Sequence, residues 1–267
     1  MDDFNSQKYW ENRLQKDFNV LGVGNPTLGK QYNDWLYRIR KYVFIHQMKS
    51  LGIDFSTTNI LDIGSGTGFY IKRWKQLRVK SITGSDITLV AVEKLKSGFP
   101  HDEFFQMDIG DDSAGLHQYR YDIISAFDVL FHIMDDHQFE KALQNISILL
   151  KPGGLFLFSD NFLHKKPEKA FDQVNRSLKS IIQVLDETGF YIVKRVPMFV
   201  LMANPIDSDN QLLKLFWRII KSSIARKEAI GFVWGVTLYP LELILTSLLK
   251  ESPTTEMMIC KKSSTER

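Results

Sequence analysis

The sequence predicts a doubly wound α/β fold with a mostly parallel, seven-stranded sheet. Three observations carry this: short apolar runs alternate with helical patterns from residue 59 to residue 159, the first run empties into a glycine-rich turn, and 267 residues with 44% apolar content suffice for one sizeable core. The same reading adds an amino-terminal helical extension (1–48), an α/β core (49–204), a helical insertion (205–252), and a last strand with a polar tail (253–267).

In chain order, Phe4 to Met48 is helical and rich in aromatics (Tyr9, Trp10, Tyr32, Trp35, Tyr37, Tyr42), broken by the loop from Gly22 to Gly29 with its Pro26. Asn59 to Ile63 is a strand that ends in glycines, and Phe69 to Gln76 is the helix after it. Ser81 to Ser85 is a second strand closed by Asp86, with a helix over Leu89 to Ser97. Glu103 to Met107 is a short third strand before the acidic loop Asp108 to Asp112. Tyr121 to Phe127 is the fourth strand, Gln138 to Leu150 a helix, and Gly154 to Ser159 the fifth strand after the turn Pro152-Gly153-Gly154. Beyond it the spacing predicts a helix over Ser177 to Thr188 and a strand-like stretch over Phe190 to Met202, disturbed near Pro197. Two apolar helices, Gln211 to Ala225 and Phe232 to Leu249, precede a final strand around Glu256 to Cys260. We expect those two helices to wall a substrate pocket.

The net charge of +3 excludes the large basic field that drives nonspecific nucleic-acid binding, so a small-molecule substrate is expected and no nucleic-acid partner. The single cysteine, Cys260, rules out an internal disulfide and fits a reducing compartment. The polar, acidic start from Met1 to Gln7 resembles neither a secretory signal nor a transit peptide, and a cytoplasmic location is expected. Ala229 to Leu249 is almost wholly apolar and long enough to span a bilayer. Pro240 and Glu242 near its middle, with Gly231 and Gly235 in its first half, argue instead for a packed or substrate-lining helix pair, with peripheral contact at a membrane surface as the alternative to a span.

The chemistry-bearing segment reads Asp62-Ile63-Gly64-Ser65-Gly66-Thr67-Gly68. Glycines at alternate positions let the backbone turn sharply and approach a ligand at the carboxyl edge of the sheet, although an ordinary strand-to-helix loop has the same composition. Asp86 ends the second strand 22 residues after Gly64, where an acid accepts hydrogen bonds from ribose hydroxyls. A dinucleotide site would show G-x-G-x-x-G; here the last glycines are one residue closer and Asp62 precedes them, which suits the cationic S-adenosylmethionine (SAM) better than a pyrophosphate.

With these residues in place, the stretch from Tyr42 to Ser159 resembles the class I SAM-dependent methyltransferase family. The resemblance implies that Asp62, Gly64, Ser65, Gly66 and Gly68 bind the methionine part and Asp86 the ribose, with Ile87 beside the adenine. It also implies that Met107, Asp108 and Ile109 hold the adenine amino group and flank its ring. Tyr121-Asp122-Ile123-Ile124 followed by Phe127-Asp128-Val129-Leu130-Phe131-His132 is similar to the family's fourth strand and loop, placing Phe127 and Asp128 at the cofactor. Leu149-Leu150-Lys151-Pro152-Gly153-Gly154 is similar to its turn into strand five.

Methyl transfer is an in-line displacement promoted chiefly by positioning, with a base needed for a hydroxyl-like acceptor. His132, just past strand four, is the candidate general base; the alternative is a structural histidine capping its loop. Asp160-Asn161 at the end of strand five is similar to the pair that, with an acid in the position of Asp128, holds Mg²⁺ in catechol-type O-methyltransferases. Asp128 is about one position out of register for that, and a metal-free enzyme is expected. In the extension, Tyr32 and Arg38 are expected to close over the cofactor, and Trp35 to pack.

No Asn/Asp-Pro-Pro-Tyr/Phe segment follows strand four, and Cys260 lies far along the chain from the turn, which disfavours exocyclic-amine and cytosine C5 methylation of nucleic acids. The apolar insertion and aromatic cap point to a small apolar or amphipathic acceptor, as in secondary-metabolite, quinone, lipid or glycan tailoring, with O-methylation favoured. The rival readings are a non-catalytic SAM-binding scaffold or sensor and an NAD(P)-dependent oxidoreductase.

Overall fold

A computed structural model describes residues 4–111 and 121–264. The first fifty residues form α1 (Ser6–Lys16), the short α2 (Val20–Val23), a 3₁₀ turn at Pro26–Leu28 and the long α3 (Gly29–Ser50). The core then alternates β1 (Asn59–Ile63), α4 (Phe69–Gln76), β2 (Ser81–Asp86), α5 (Leu89–Gly98), β3 (Glu103–Gln106), β4 (Tyr121–Ala126), α6 (Asp136–Leu149) and β5 (Leu150–Asp160). It continues through a small ribbon of β6 (Glu168–Lys169) and β7 (Val174–Asn175), then α7 (Leu178–Glu187), β8 (Phe190–Pro197), α8 (Gln211–Arg226), α9 (Glu228–Leu248) and β9 (Glu256–Lys262). Asp112, at the end of the predicted acidic loop, lies outside the described residues.

Seven strands form one sheet in the order β3-β2-β1-β4-β5-β9-β8. The first five pair in parallel, and β9 runs antiparallel between β5 and β8. Side chains alternate across this sheet and feed two cores. Ile60, Ile123, Leu157 and Ile259 face one layer with α3 and α4, whereas Leu61, Ile124, Phe156 and Met258 face the layer of α6 and α7. The order reverses between β1 and β4, and a crevice opens there at the carboxyl ends of the strands, where open sheets of this kind bind ligands.

The insertion differs from expectation at one point. α9 starts at Glu228, four residues before the expected Phe232, and runs unbroken through Pro240. Its inner face fits α3 closely. A Cβ on Gly235 would lie 2.0 Å from the Trp35 ring, and one on Gly231 would lie 3.1 Å from Tyr32. Glu242 is fully buried, and its carboxylate accepts from the backbone N–H groups of Val200 (2.7 Å), Leu201 (2.9 Å) and Met202 (3.2 Å). The acid that looked costly within an apolar helix thus satisfies three backbone donors after β8 and pins α9 to the fold.

Candidate active site

Two cavities meet at the carboxyl edge of the sheet. The first encloses about 930 Å³ including its mouth and is lined by Gly64, Ser65, Gly66 and Thr67 of the turn after β1, together with Asp86, Ile87, Met107, Asp108, Ile109, Phe127, Asp128 and His132. The loops after β1, β2, β3 and β4 therefore converge as their order in the chain suggested. Gly64 takes φ 67°, and a Cβ there would sit 2.3 Å from Val129 Cγ2, so this position needs glycine. Gly68 does not line the cavity; it opens α4 and lies against Leu95 and Phe99.

Asp86 is buried at the floor. Its Oδ2 accepts from the Gly66 N–H (2.8 Å) and its Oδ1 from the Thr88 N–H (3.0 Å) and hydroxyl (2.7 Å). These bonds fix the carboxylate and tie the glycine turn to the end of β2, while burial raises its pKa. Asp62 lies behind the turn, off the cavity surface. It accepts from Ser125 Oγ (2.6 Å), which in turn accepts from Trp74 Nε1 (3.0 Å), and burial pushes its pKa up to about 7. Asp62 joins β1 to β4 and α4. Asp108 accepts from the Gly110 N–H, and partial burial raises its pKa.

His132 lines both cavities. Its Nδ1 lies 2.6 Å from the carbonyl oxygen of Asp172, and the ring packs against Trp10 at 4.9 Å. A carbonyl only accepts, so it assigns the proton to Nδ1 and leaves Nε2 as the acceptor nitrogen. Burial depresses the pKa of the imidazole, keeping the neutral ring with that lone pair near neutral pH.

The second cavity is larger, about 1390 Å³ with its mouth. It adjoins the first along Trp10, Val23, Tyr37, Asp128 and His132. Asn33, Leu36, Tyr37 and Arg40 enter from α3 at helical spacing. Arg13, Asn161, Asp172, Phe199, Trp217 and Thr255 complete much of the wall. Trp217 is the contribution of α8; α9 contributes no lining residue among those described. Asp128, at φ 58°, is held by hydrogen bonds with Ser159 Oγ at 2.8 Å and by an ion pair with half-buried Arg40 at 2.6 Å.

Several expectations are corrected here. Tyr32 is not a cofactor contact: it is fully buried and donates to the Met202 carbonyl at 3.0 Å. Arg38 is exposed and stacks on Trp35 at 4.2 Å, on the side of α3 away from both cavities. The three side chains of the Mg²⁺ alternative are engaged with other groups of the protein. Asp128 is engaged by Arg40, Asn161 donates to Asn175 (2.5 Å) and accepts from Thr255 (2.9 Å), and Asp160 is fully buried, its Oδ1 accepting from the Asn161 N–H (2.7 Å) and its pKa raised by burial to about 7. Among the described residues no group of three or more His, Cys, Asp or Glu side chains converges.

Sequence reasoning missed Arg40, Asp172 and the closure made by α1. Glu11 accepts from the backbone N–H groups of Leu89 (2.9 Å) and Val90 (3.1 Å), at the start of α5 beside Asp86-Ile87. Ser6, Trp10 and Leu14 of the same helix line the first cavity, so Glu11 fastens a lid of one helix over it. The i, i+3, i+4, i+7 stripe on α3 was the available signal for Arg40.

A family model described as a methyltransferase domain matches residues 35–194. A polyketide synthase–nonribosomal peptide synthetase of Aspergillus flavipes is 30% identical over 160 residues, which is 55% of this chain and 4% of that much longer protein. Among solved structures, the N-methyltransferase NodS of Bradyrhizobium japonicum, in complex with S-adenosyl-L-homocysteine, superposes with a TM-score of 0.57 at 14% identity, over 97% of this chain and 99% of its own. The O-methyltransferase of a trans-AT polyketide synthase multienzyme of Brevibacillus brevis gives 0.54 at 19% identity, over 84% and 71% of the two chains.

Proposed function

The chain belongs to the methyltransferase-domain family, and from that premise we propose that it uses S-adenosylmethionine to methylate a hydroxyl of a small amphipathic acceptor, with His132 as the general base. The observation that carries this reading is the place of His132 on both cavities, with its Nδ1 at the Asp172 carbonyl and its Nε2 left as the acceptor.

In the first cavity, backbone of Gly64 to Thr67 receives the amino-acid part, Asp86 the ribose hydroxyls, and Ile87, Met107 and Ile109 the flat faces of the adenine, with Asp108 at its amino group. Bound there, the cofactor supplies an electrophilic methyl on a sulfonium. The fit rests on the cradle left by Gly64 and on the Asp86 carboxylate, fixed at the floor by its hydrogen bonds to Gly66 and Thr88. The second cavity combines aromatic walls, Trp10, Tyr37, Phe199 and Trp217, with Arg13, Arg40 and Asn161. That mixture suits an acceptor with an apolar body and polar substituents. Arg40 orients Asp128 at the junction of the cavities, and His132 takes the hydroxyl proton as the methyl is transferred. The polyketide synthase multienzymes that contain similar segments favour secondary-metabolite acceptors of this kind.

A panel of phenols, enols and amines incubated with the purified protein and SAM tests the reading by mass spectrometry. Gain of one methylene on a hydroxylated acceptor is expected. Methylation of amines alone would overturn the O-methyl assignment, and cofactor binding without turnover across the panel would return the scaffold reading.

A further inference from the structure

The outer surface of α8 and α9 has a composition that the active site does not explain. Ten large apolar side chains between Leu212 and Leu249 are exposed, among them Leu212 (78%), Val233 (61%), Ile244 (54%) and Leu248 (74%). From Ala229 to Leu249 the only charged residue is Glu242, and it is buried against the loop after β8. A soluble helix ordinarily turns charges outward; this one turns outward apolar side chains over 21 residues.

The charge around that face is of one sign. Residues 211–250 carry six cations, Lys214, Arg218, Lys221, Arg226, Lys227 and Lys250, and two acids, Glu228 and Glu242, which makes this segment +4 where the whole chain is +3. The remaining 227 residues are therefore close to neutral, and the net positive charge of the protein resides on these two helices. Both acids are engaged by backbone donors: buried Glu242 by three, and exposed Glu228 by the Lys30 (2.8 Å) and Gln31 (3.1 Å) N–H groups at the start of α3. Arg38 and Lys41, exposed on α3, add cations on the opposite flank of α9.

We propose that α8 and α9 form a docking surface for an anionic bilayer, on which α9 lies flat with Val233, Ile244 and Leu248 in the interface and the flanking lysines and arginines at the headgroups. A transmembrane arrangement does not fit, because Glu242, Gly231 and Gly235 fix the inner face of α9 to the loop after β8 and to α3. A second copy of the chain would meet the same cations with cations, whereas an anionic lipid surface complements them. The inference goes beyond the proposed reaction and does not depend on its acceptor.

Co-sedimentation of the full chain with phosphatidylcholine vesicles, with and without a third of phosphatidylglycerol, tests it. Partitioning onto the anionic vesicles at least tenfold above the neutral ones is expected, weakening in high salt. The double variant Val233→Asp/Ile244→Asp should lose tenfold or more of it, and Arg218→Glu/Lys221→Glu should remove the preference for anionic lipid. Unchanged S-adenosylhomocysteine affinity in both variants verifies their folding. No binding to either vesicle, equal binding to both, or a dimer in solution that the Val233→Asp/Ile244→Asp variant dissociates without any vesicle binding would overturn the proposal.

Discussion

The two cavities at the edge of the sheet are built in opposite ways. Around the first, each successive strand end contributes the segment that follows it: the glycine turn after β1, Asp86 at the end of β2, Met107 to Ile109 after β3, and Phe127 to His132 after β4. Around the second, α1, α3, α8 and the loops near Asn161, Asp172 and Phe199 meet from distant parts of the chain. The cofactor side is a property of the parallel sheet and its switch point. The acceptor side is an addition held in place by long-range contacts such as Arg40 with Asp128 and Tyr32 with Met202. One scaffold can thus keep its cofactor while its acceptor pocket is rebuilt.

Substitutions can break that comparison at four points, in falling order of effect. His132→Asn, at the junction, should lower turnover roughly 10²–10⁴-fold while leaving S-adenosylhomocysteine affinity within about twofold. In the unaltered protein the acid limb of kcat/KM should have its midpoint below the ordinary imidazole value, because burial lowers the pKa of His132 and the neutral ring is the active form. Equal cofactor loss in the variant would place His132 on the cofactor side instead.

Asp86→Ala should weaken S-adenosylhomocysteine by roughly 10–100-fold, the effect of removing a charge-assisted hydrogen-bond acceptor, as read by calorimetry. Unchanged affinity would dissociate β2 from the cofactor. Gly235→Ala should destabilise by about 1–3 kcal/mol in chemical unfolding, since the new methyl meets the Trp35 ring, with no effect on cofactor affinity once folded. Such a result would separate the insertion from the cofactor side energetically.

The smallest effect concerns pH. Asp62 and Asp160 are pushed up to about 7 by burial, against roughly 3.9 in an unfolded chain. Their protonated forms favour the fold, so this contribution is complete below the unfolded value and is lost as pH rises through about 7. Thermal unfolding should therefore show Asp160→Asn raising Tm more at pH 8 than at pH 5. A gain independent of pH would contradict the buried-acid account.

The same contrast explains what could be read in advance. The boundaries of β1 and α4 are those the glycine-punctuated pattern predicts, because a buried strand, a tight turn and an amphipathic helix each leave a local signature. Asp86 and Asp108 were legible because their order and spacing repeat the strand ends. Arg40 and Asp172 were not, since their meeting with Asp128 and His132 depends on how α3 and the β6–β7 ribbon dock. Tyr32 and Arg38 were assigned to the cofactor from their aromatic and basic character, yet the helical stripe of Asn33, Leu36, Tyr37 and Arg40 faces the site and their own positions do not. Likewise, the apolar run through Pro240 was legible as one helix, whereas its packing on α3 and the three hydrogen bonds that Glu242 accepts depend on contacts distant in the chain and were not.

The most direct test of the central claim is isothermal titration of the full chain with S-adenosylhomocysteine and, in parallel, with NAD. The account predicts one-to-one binding of the homocysteine compound and none of the dinucleotide. Binding of NAD, or of neither by protein shown to be folded, would contradict it.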